Sequence, residues 1–533
     1  MRSVSRSTGR SPPRCWCDQM CTLIFHNARV MSLDPTISGA RLVAVNGDRI
    51  HAVGGDELLP QLKSRSTQLI DCEGKVVLPG FVDAHCHVRA YAESLVSLDI
   101  SPQNNIRTIG EIQNRILEAC NSRAPGTWIK ANGYSEFHLA EKRQPNRYDL
   151  DAVAPLHPVR LTHRSGHVHV LNSLALKLLN ITAATEEPPG SLMDRDVATG
   201  EPTGVLFGMG AFLARAMPAA DDSITDPGLR FAGERLLSFG VTSVQDAGAW
   251  NGSGRWTGFE SAKGRGLLQP RLTMMLGWNG FSELRSGLFR FESDCSDLRP
   301  GGVKLLVGRV SGSLHPEQWE LNERVLAIHS AGLQAIIHAI EPPEIEAAAA
   351  AIAEAQRSSP RPDPRHRIEH CSVCPPELRK RLAALGITIV MQPSFLYYSG
   401  DRYLETVPAD ELEHLYAIRS LQEEGLSMAF ASDFPVSDPN PLVGIRAAAT
   451  RISEGGRELL PREKTTVSDA IRLYTLGSAA AAFEENIKGS ITPGKLADLV
   501  ILSDDPLSPD AARKNIRVVT TILGGRIVWQ ANR

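Results

Sequence analysis

The stretch that most constrains this chain is residues 78–88, an apolar run that ends in two histidines separated by a single residue. Its composition predicts a buried strand, entered through a Pro-Gly turn and ending at His85 and His87. Side chains two positions apart on a strand point to the same face, so both imidazoles can reach one point where the strand ends. Imidazole nitrogens are frequent metal ligands. Because such a pair also arises by chance, its interpretation as a metal site depends on further ligands elsewhere in the chain.

The bulk properties are those of a large globular protein. At 533 residues the chain is long enough for a large α/β barrel with additions. Hydrophobic residues make up 42% of the chain, and the formal net charge is -3. This charge does not indicate nucleic acid or an anionic membrane as a partner, and no apolar run reaches the ~18 residues of a membrane span. We therefore expect a small-molecule ligand, and the sequence is compatible with a homo-oligomer.

The amino-terminal residues 1–20 contain arginines among serines and prolines and lack an apolar segment of the kind found in secretory signals. We expect a disordered leader here, although a transit-like leader also fits the composition. The nine cysteines are odd in number and scattered along the chain. This usage is typical of a reducing compartment and predicts a cytoplasmic protein.

The two ends of the chain share a pattern of short apolar segments separated by turn residues, among them Asn46-Gly47 and Gly524-Gly525. Regularly spaced segments of this kind predict β-strands in a small sheet or sandwich. Because the pattern stops near residue 78 and returns near residue 485, we expect residues 21–78 and 485–533 to build one composite β-sandwich together.

Between the two ends, strand-like and helix-like patterns alternate along the chain. Eight such strands with intervening helices predict an α/β fold of the (β/α)8 barrel type, formed by residues 79–98 and 212–484. The connection after the first strand is far longer than a typical βα loop, so residues 99–211 predict an inserted α/β subdomain over the barrel mouth. The active site of such a barrel lies at the carboxyl ends of its strands. Polar residues that end an apolar strand are therefore candidates for chemistry.

Residues of this kind occur on five of the predicted strands: His85 and His87 on the first, Lys304 in the fourth, His338 on the fifth, His370 on the sixth and Asp433 on the eighth. Each one alone has a structural explanation, such as a hydrogen-bonded core histidine or an aspartate that caps a loop. Together, the set and its order resemble the amidohydrolase superfamily, in the branch with a lysine on strand four. The resemblance runs from about Cys21 to the carboxyl terminus.

Within that superfamily the chain resembles amidohydrolase family 3, the group similar to N-substituted formamide deformylases. The supporting segments are residues 78–87, 164–167, 172–176, 200–206, 240–244, 367–370, 432–435 and 493–502. The resemblance implies one or two divalent metal ions, with zinc expected, held by His85, His87, Lys304, His338, His370 and Asp433. Lys304 would be carboxylated by carbon dioxide, because an unmodified lysine is a cation without a lone pair at neutral pH. His167 is a candidate for substrate contact, and a structural histidine is the alternative.

The function implied by this resemblance is metal-dependent hydrolysis of a non-peptide C–N bond, in an amide or formamide. Metal-activated hydroxide would attack the carbonyl, with Asp433 as the general base and then the general acid. A deaminase or cyclic-amide hydrolase is the alternative within enzymes, and Lys304 argues against a single-metal deaminase. The alternative from another class is a non-catalytic scaffold, which the complete ligand set opposes. By strand alternation, Glu369 should face away from His370 and have a supporting role.

Overall fold

Eight parallel strands form the central sheet of the structure, a computed structural model that describes residues 21–217, 222–290, 297–310, 313–508 and 514–532. Each strand pairs with the next one along the chain, as in a (β/α)8 barrel. The strands are β1 (Phe81–Cys86), β2 (Val241–Asp246), β3 (Arg271–Gly277), β4 (Leu298–Leu306), β5 (Ala335–Ala339), β6 (Arg367–His370), β7 (Thr388–Met391) and β8 (Ser427–Phe430). The predicted leader, residues 1–20, lies outside the described residues.

The sheet is nearly closed because the chain that follows β8 is hydrogen-bonded to β1. The Asp433 amide donates to the His85 carbonyl at 2.9 Å, and the His87 amide donates to the Phe434 carbonyl at 2.9 Å. The Ser432 hydroxyl donates to the buried carboxylate of Asp83 at 2.5 Å. These bonds hold the residues after β8 directly beside the two histidines at the end of β1.

Helices surround the barrel and bury apolar stripes against it. In the helix at residues 342–358, for example, Ile345, Ala348 and Ile352 recur at helical spacing and are buried. The helices are α1 (Val88–Leu95), α2 (Asp222–Ser238), α3 (Ser253–Gly264), α4 (Trp278–Arg285), α5 (Gln318–Ser330), α6 (Pro342–Ser358), α7 (Pro376–Ala384), α8 (Ser394–Thr406), α9 (Ala409–Leu412), α10 (Ile418–Glu423), α11 (Pro441–Thr450) and α12 (Val467–Arg472). None of the helices in the described ranges has both the length and the apolar character needed to cross a membrane.

Both ends of the chain contribute to a β-sandwich beside the barrel, as predicted. Its four-stranded sheet consists of Leu23–His26, Leu42–Asn46, Arg49–Gly54 and Gln68–Asp71. Its five-stranded sheet consists of Arg29–Val30, Val76–Pro79, Leu499–Leu502, Val518–Leu523 and Arg526–Gln530. The two sheets share one buried core, in which Phe25 and Val43 of the first sheet cluster with Val77, Leu499 and Ile522 of the second. The predicted fold class is therefore confirmed.

The predicted Pro-Gly turn separates a strand of the sandwich from the first strand of the barrel. Val76–Pro79 belongs to the sandwich, and β1 of the barrel begins after a single connecting residue, Gly80. The Gly80 amide donates to the Asp498 carbonyl at 2.8 Å. A side chain at this position would overlap the Thr242 side chain, so the close approach requires glycine. The sandwich is thus joined almost directly to the strand that ends in the two histidines.

A six-stranded sheet follows α1 in the chain and forms the inserted part of the fold. Its strands are Leu98–Asp99, Ile129–Tyr134, Val159–His163, Val168–Leu171, Leu192–Arg195 and Pro202–Phe207. The helix Ile109–Asn121 packs Ile112 and Ile116 into the core of this sheet. It begins with a capping box in which Thr108 and Glu111 exchange hydrogen bonds. The exact domain limits, 99–211 among them, stay predictions.

Candidate metal centre

The structure brings the predicted site residues together at the carboxyl end of the barrel. His85 belongs to β1 and His87 follows it directly. Lys304, His338 and His370 belong to β4, β5 and β6, and Asp433 follows β8. Because parallel strands present their carboxyl ends at the same edge of the sheet, residues distant in the sequence meet here.

His85, His87 and Asp433 form the tightest part of the cluster. The Oδ1 atom of Asp433 lies 3.5 Å from His85 Nε2 and 3.1 Å from His87 Nε2. One ligand atom from each of the three residues lies within 4.8 Å of the others. Asp433 Oδ1 is buried and makes no hydrogen bond within the described residues. A buried carboxylate oxygen facing two imidazole nitrogens is suited to a divalent cation.

The remaining three residues extend this cluster across the barrel mouth. Lys304 Nζ lies 3.4 Å from His85 Nε2. The ring centroid of His370 lies 5.1 Å from that of His85 and 4.5 Å from that of His338. Lys304 is 2% exposed. The cluster therefore contains a buried amine among imidazoles, without a carboxylate at ion-pair distance among the described residues.

The backbone at two of the site residues adopts the left-handed conformation. His370 has φ 74° and Asp433 has φ 59°. Residues other than glycine seldom adopt such angles. Where they do, the surrounding structure imposes the conformation, often at a functional site.

Glu369 was expected to face away from His370 and to have a supporting role, and the structure places it against His85. The Glu369 carboxylate contacts His85 Nδ1 directly, and both side chains are buried. Arg367 donates to the same carboxylate at 2.9 and 3.1 Å. Arg367 is held in turn by the Gln245 side chain at 2.6 Å and the Ala84 carbonyl at 2.8 Å. Glu369 therefore orients His85 across the barrel interior.

The partners of the imidazole rings determine which nitrogens are free. His85 Nδ1 contacts the Glu369 carboxylate, and His370 Nδ1 lies 2.7 Å from the side-chain oxygen of Gln392. Both partners are acceptors, so Nδ1 of each ring carries the proton and Nε2 keeps its lone pair. Hydrogen bonding of this kind behind a ligand is the usual arrangement at metal sites.

The position of His87 is set by the end of the neighbouring strand. His87 immediately precedes α1, and the first amide of that helix, from Val88, donates to Asp246 Oδ2 at 2.7 Å. The other oxygen of Asp246 accepts from Asn251 at 2.7 Å. Asp246 therefore acts as an anionic cap at the positive end of α1. Of these supporting residues, sequence analysis missed Asp246 and Gln392, although each lies at the end of an apolar strand.

Burial and neighbouring charges set the ionisation of the cluster. Burial is the largest cause that lowers the pKa of His85, His338 and His370. It also lowers the pKa of Lys304 to about 8. Burial alone would raise the pKa of Asp433, but the adjacent histidines outweigh it and hold that pKa well below its usual value. At neutral pH His85, His338 and His370 therefore have free lone pairs and Asp433 is an anion, as metal binding requires.

His167 lies on a loop of the inserted sheet, between Val159–His163 and Val168–Leu171. Its ring centroid lies 6.3 Å from that of His338. The neighbouring residue Arg164 donates to the Ser399 hydroxyl of α8 at 3.1 Å, which ties this loop to the barrel. His167 therefore lies beside the cluster without belonging to its closest contacts.

Comparison with known proteins finds a matching family and several similar proteins over most of the chain. Residues 68–529 match the model of a family described as the amidohydrolase family. An N-substituted formamide deformylase from Arthrobacter pascens is 29% identical over 96% of this chain and 99% of that protein. A putative amidohydrolase of Bacillus subtilis, YtcJ, is 26% identical over 95% of this chain and 99% of its own. An uncharacterized metal-dependent hydrolase from Pyrococcus furiosus superposes with a TM-score of 0.71 at 25% identity, covering 92% of this chain and 100% of that one.

Proposed function

The chain belongs to the amidohydrolase family, and on this premise we propose that it hydrolyses an amide or formamide C–N bond in a small molecule. The family implies a hydrolase of non-peptide C–N bonds that uses a divalent metal. The observation that supports the finer proposal is the buried Asp433 oxygen, which faces two imidazole nitrogens and makes no hydrogen bond within the described residues. The formamide assignment follows the printed activity of the Arthrobacter relative.

The residues of the cluster fit a divalent metal. Asp433 supplies an anionic oxygen, and hydrogen bonds to Nδ1 leave Nε2 of His85 and His370 available. The proposed ligands are His85, His87, His338, His370, Asp433 and carboxylated Lys304. A bound divalent cation, with zinc as the expected metal, would polarise a carbonyl and lower the pKa of water from ~15.7 toward ~7.

Carboxylation of Lys304 would explain why a buried amine lies among metal ligands, because it converts the amine into a ligand. Burial lowers the pKa of Lys304 to about 8, so about one amine in ten is neutral at pH 7. The neutral nitrogen can add to carbon dioxide, forming an N–C bond and losing one proton to give an anionic carbamate. The cation then becomes a carbamate, an oxygen donor that suits divalent metals.

Asp433 is proposed to move the proton that amide hydrolysis requires. The adjacent histidines hold its pKa well below the usual value, so it is ionised and can accept a proton at neutral pH. It would take that proton from the attacking water and deliver it to the leaving nitrogen, which must be protonated to depart as an amine. His167, near His338 at the mouth, is proposed to contact the substrate.

Other finer features remain part of the proposal. A cytoplasmic location and a homo-oligomeric state stay predictions, as does the number of metal ions. A deaminase or cyclic-amide hydrolase is the alternative within the same fold. Lys304 argues against the single-metal deaminase, because a buried lysine without modification repels a nearby cation.

The test is turnover by the metal-loaded protein and its Asp433→Asn variant. A panel of N-substituted formamides would be assayed for formate release, with N-acyl amides as a second panel. We expect turnover by the wild-type protein and a loss of at least 100-fold in Asp433→Asn, with unchanged circular dichroism. Asp438→Asn is the matched control, because Asp438 lies in the same segment but pairs with Arg235 at 2.7 Å. Retained activity in Asp433→Asn would refute the proton-transfer role.

A further inference from the structure

A second candidate site lies among the helices that surround the barrel. It is a cavity of about 370 Å³ between α7, α10 and the segment around residue 462. None of the proposed metal ligands lines it. Three arginines do, Arg379 of α7, Arg419 of α10 and Arg462. A concave site lined by several guanidinium groups is a candidate for binding an anion.

Arg379 is the unusual member of this group. The residue is 9% exposed, and its Nε is buried without a hydrogen-bond partner. Within the described ranges, its guanidinium makes neither a hydrogen bond nor an ion pair. A buried cation without a counter-charge is unfavourable, because it loses hydration without gaining a compensating interaction. Since Arg379 lines the cavity, a ligand there could supply the missing negative charge.

Three acidic residues line the cavity, and each contacts a group other than Arg379. A carboxylate oxygen of Glu413 lies 3.5 Å from His414 Nε2. Glu423 pairs with Arg419 at 2.8 Å. Glu463 accepts from the Ser420 amide at 3.0 Å and from the Ser420 hydroxyl at 2.6 Å. Glu463 thereby caps the first turn of α10, the role that an anion plays at a helix amino terminus. None of these carboxylates is within ion-pair distance of Arg379 among the described residues.

Arg462 also lacks a carboxylate partner in the described part of the chain. Its guanidinium donates to the main-chain carbonyl of Glu413 at 2.7 Å. A guanidinium has five N–H donors, so this single bond leaves most of them available to a ligand. Arg379 and Arg462 therefore line one cavity as two guanidinium groups that are both without a carboxylate.

The first turn of α7 adds further donors. This nine-residue helix begins at Pro376, which lines the cavity, and no side chain caps it. The main-chain amides of Glu377 and Leu378 donate to no other group in the described ranges. An uncapped helix amino terminus carries a partial positive charge and binds oxyanions through such amides.

We propose that this cavity is a binding site for a phosphate group, held by Arg379 and Arg462 at the amino terminus of α7. The phosphate dianion matches the two guanidinium groups in charge, and its oxygens accept from planar N–H donors in pairs. Free inorganic phosphate and a small phosphate monoester share this chemistry. The segment from His370 to the start of α7 is short, so the site borders the loop that follows a proposed metal ligand.

The test is titration of the metal-loaded protein with inorganic phosphate and, separately, phenyl phosphate, by isothermal calorimetry at constant ionic strength. Arg379→Gln removes the unpaired guanidinium. Arg381→Gln is the matched control, because Arg381 lies on the same helix and pairs with Glu346 outside the cavity. Melting temperatures establish that both variants fold. Phosphate binding at the metal centre, as opposed to the cavity, would be unchanged in both variants.

We expect Arg379→Gln to weaken one phosphate-binding event at least tenfold, with Arg381→Gln within twofold of the wild type. Tighter binding of phenyl phosphate than of inorganic phosphate would identify a monoester as the ligand, and the reverse would identify the free ion. Equal phosphate binding by all three proteins would overturn the proposal. A wild-type dimer that Arg379→Gln dissociates in analytical ultracentrifugation would also overturn it, because a carboxylate of a second copy would then occupy the cavity.

Discussion

The contact between Glu369 and His85 makes a quantitative prediction for Glu369→Gln. The carboxylate is fully buried, receives two hydrogen bonds from Arg367 and contacts His85 Nδ1. Glutamine keeps one acceptor oxygen, but its NH2 group must face a second hydrogen-bond donor. The substitution also removes the negative charge that balances Arg367. Loss of one partner of a buried ion pair costs about 3 kcal/mol of folding free energy.

The same substitution should weaken metal binding. Without the carboxylate, His85 is no longer fixed in the tautomer that keeps the Nε2 lone pair, and such losses typically reduce metal affinity by about 10- to 100-fold. This corresponds to about 1.4–2.7 kcal/mol of binding free energy. Competition with a chromophoric chelator would measure the zinc dissociation constant, and guanidinium denaturation of the metal-free protein would measure stability.

The variant Glu463→Gln separates the loss of folding stability from the loss of metal affinity. Glu463 is 3% exposed and accepts two hydrogen bonds from Ser420, so its substitution should also destabilise the fold. Glu463 lies away from the histidine cluster, so the zinc dissociation constant of the Glu463→Gln variant should stay within about twofold of the wild-type value. The reasoning is refuted if Glu369→Gln and Glu463→Gln change the zinc dissociation constant equally.

Three further predictions concern pH, substrate binding and packing. Burial lowers the pKa of His366 to about 3, so this ring stays neutral in the fold and stability is lost as pH falls below 6.5. Between pH 7.5 and pH 5, the free energy of unfolding of the wild type should fall by about 2 kcal/mol more than that of His366→Gln, measured by denaturation. An equal fall in both proteins would contradict this. His167→Ala should lower kcat/KM about fivefold, the effect of one lost hydrogen bond, and steady-state kinetics unchanged by the substitution would argue for a structural histidine. Ile345→Ala should cost about 3 kcal/mol of unfolding free energy with little change in turnover, since Ile345 is fully buried on α6; a loss below 1 kcal/mol would show that the site repacks.

The meeting of the site residues could be predicted from the sequence because it depends on strand order alone. His338 and Asp433 each come at or after the end of an apolar run, and parallel strands in a barrel present these ends at one face. The composite sandwich was predictable on similar grounds, since the same short-strand pattern occurs at both chain ends. Neither prediction needed the position of any single side chain.

Supporting contacts could not be predicted in this way. Glu369 of β6 reaches His85 of β1 across the barrel interior, between strands that are not neighbours in the sheet. Alternation along β6 predicted a supporting role for Glu369 but could not identify its partner on β1. The Pro-Gly turn within residues 78–88 was predicted, but the close packing of Gly80 against Thr242, which leaves no room for a side chain, was not.

We expect the histidine cluster and Asp433 to form a metal centre that Lys304 completes. The most direct test is the metal content of protein expressed with zinc and bicarbonate, measured by plasma mass spectrometry. Lys304→Ala is compared with Lys488→Ala, which removes a buried lysine paired with Glu484 at 2.7 Å outside the cluster. We expect about two metal ions per chain in the wild type and in Lys488→Ala, and fewer in Lys304→Ala. Wild-type protein that contains no metal and cannot be reconstituted would contradict the account and favour a non-catalytic scaffold.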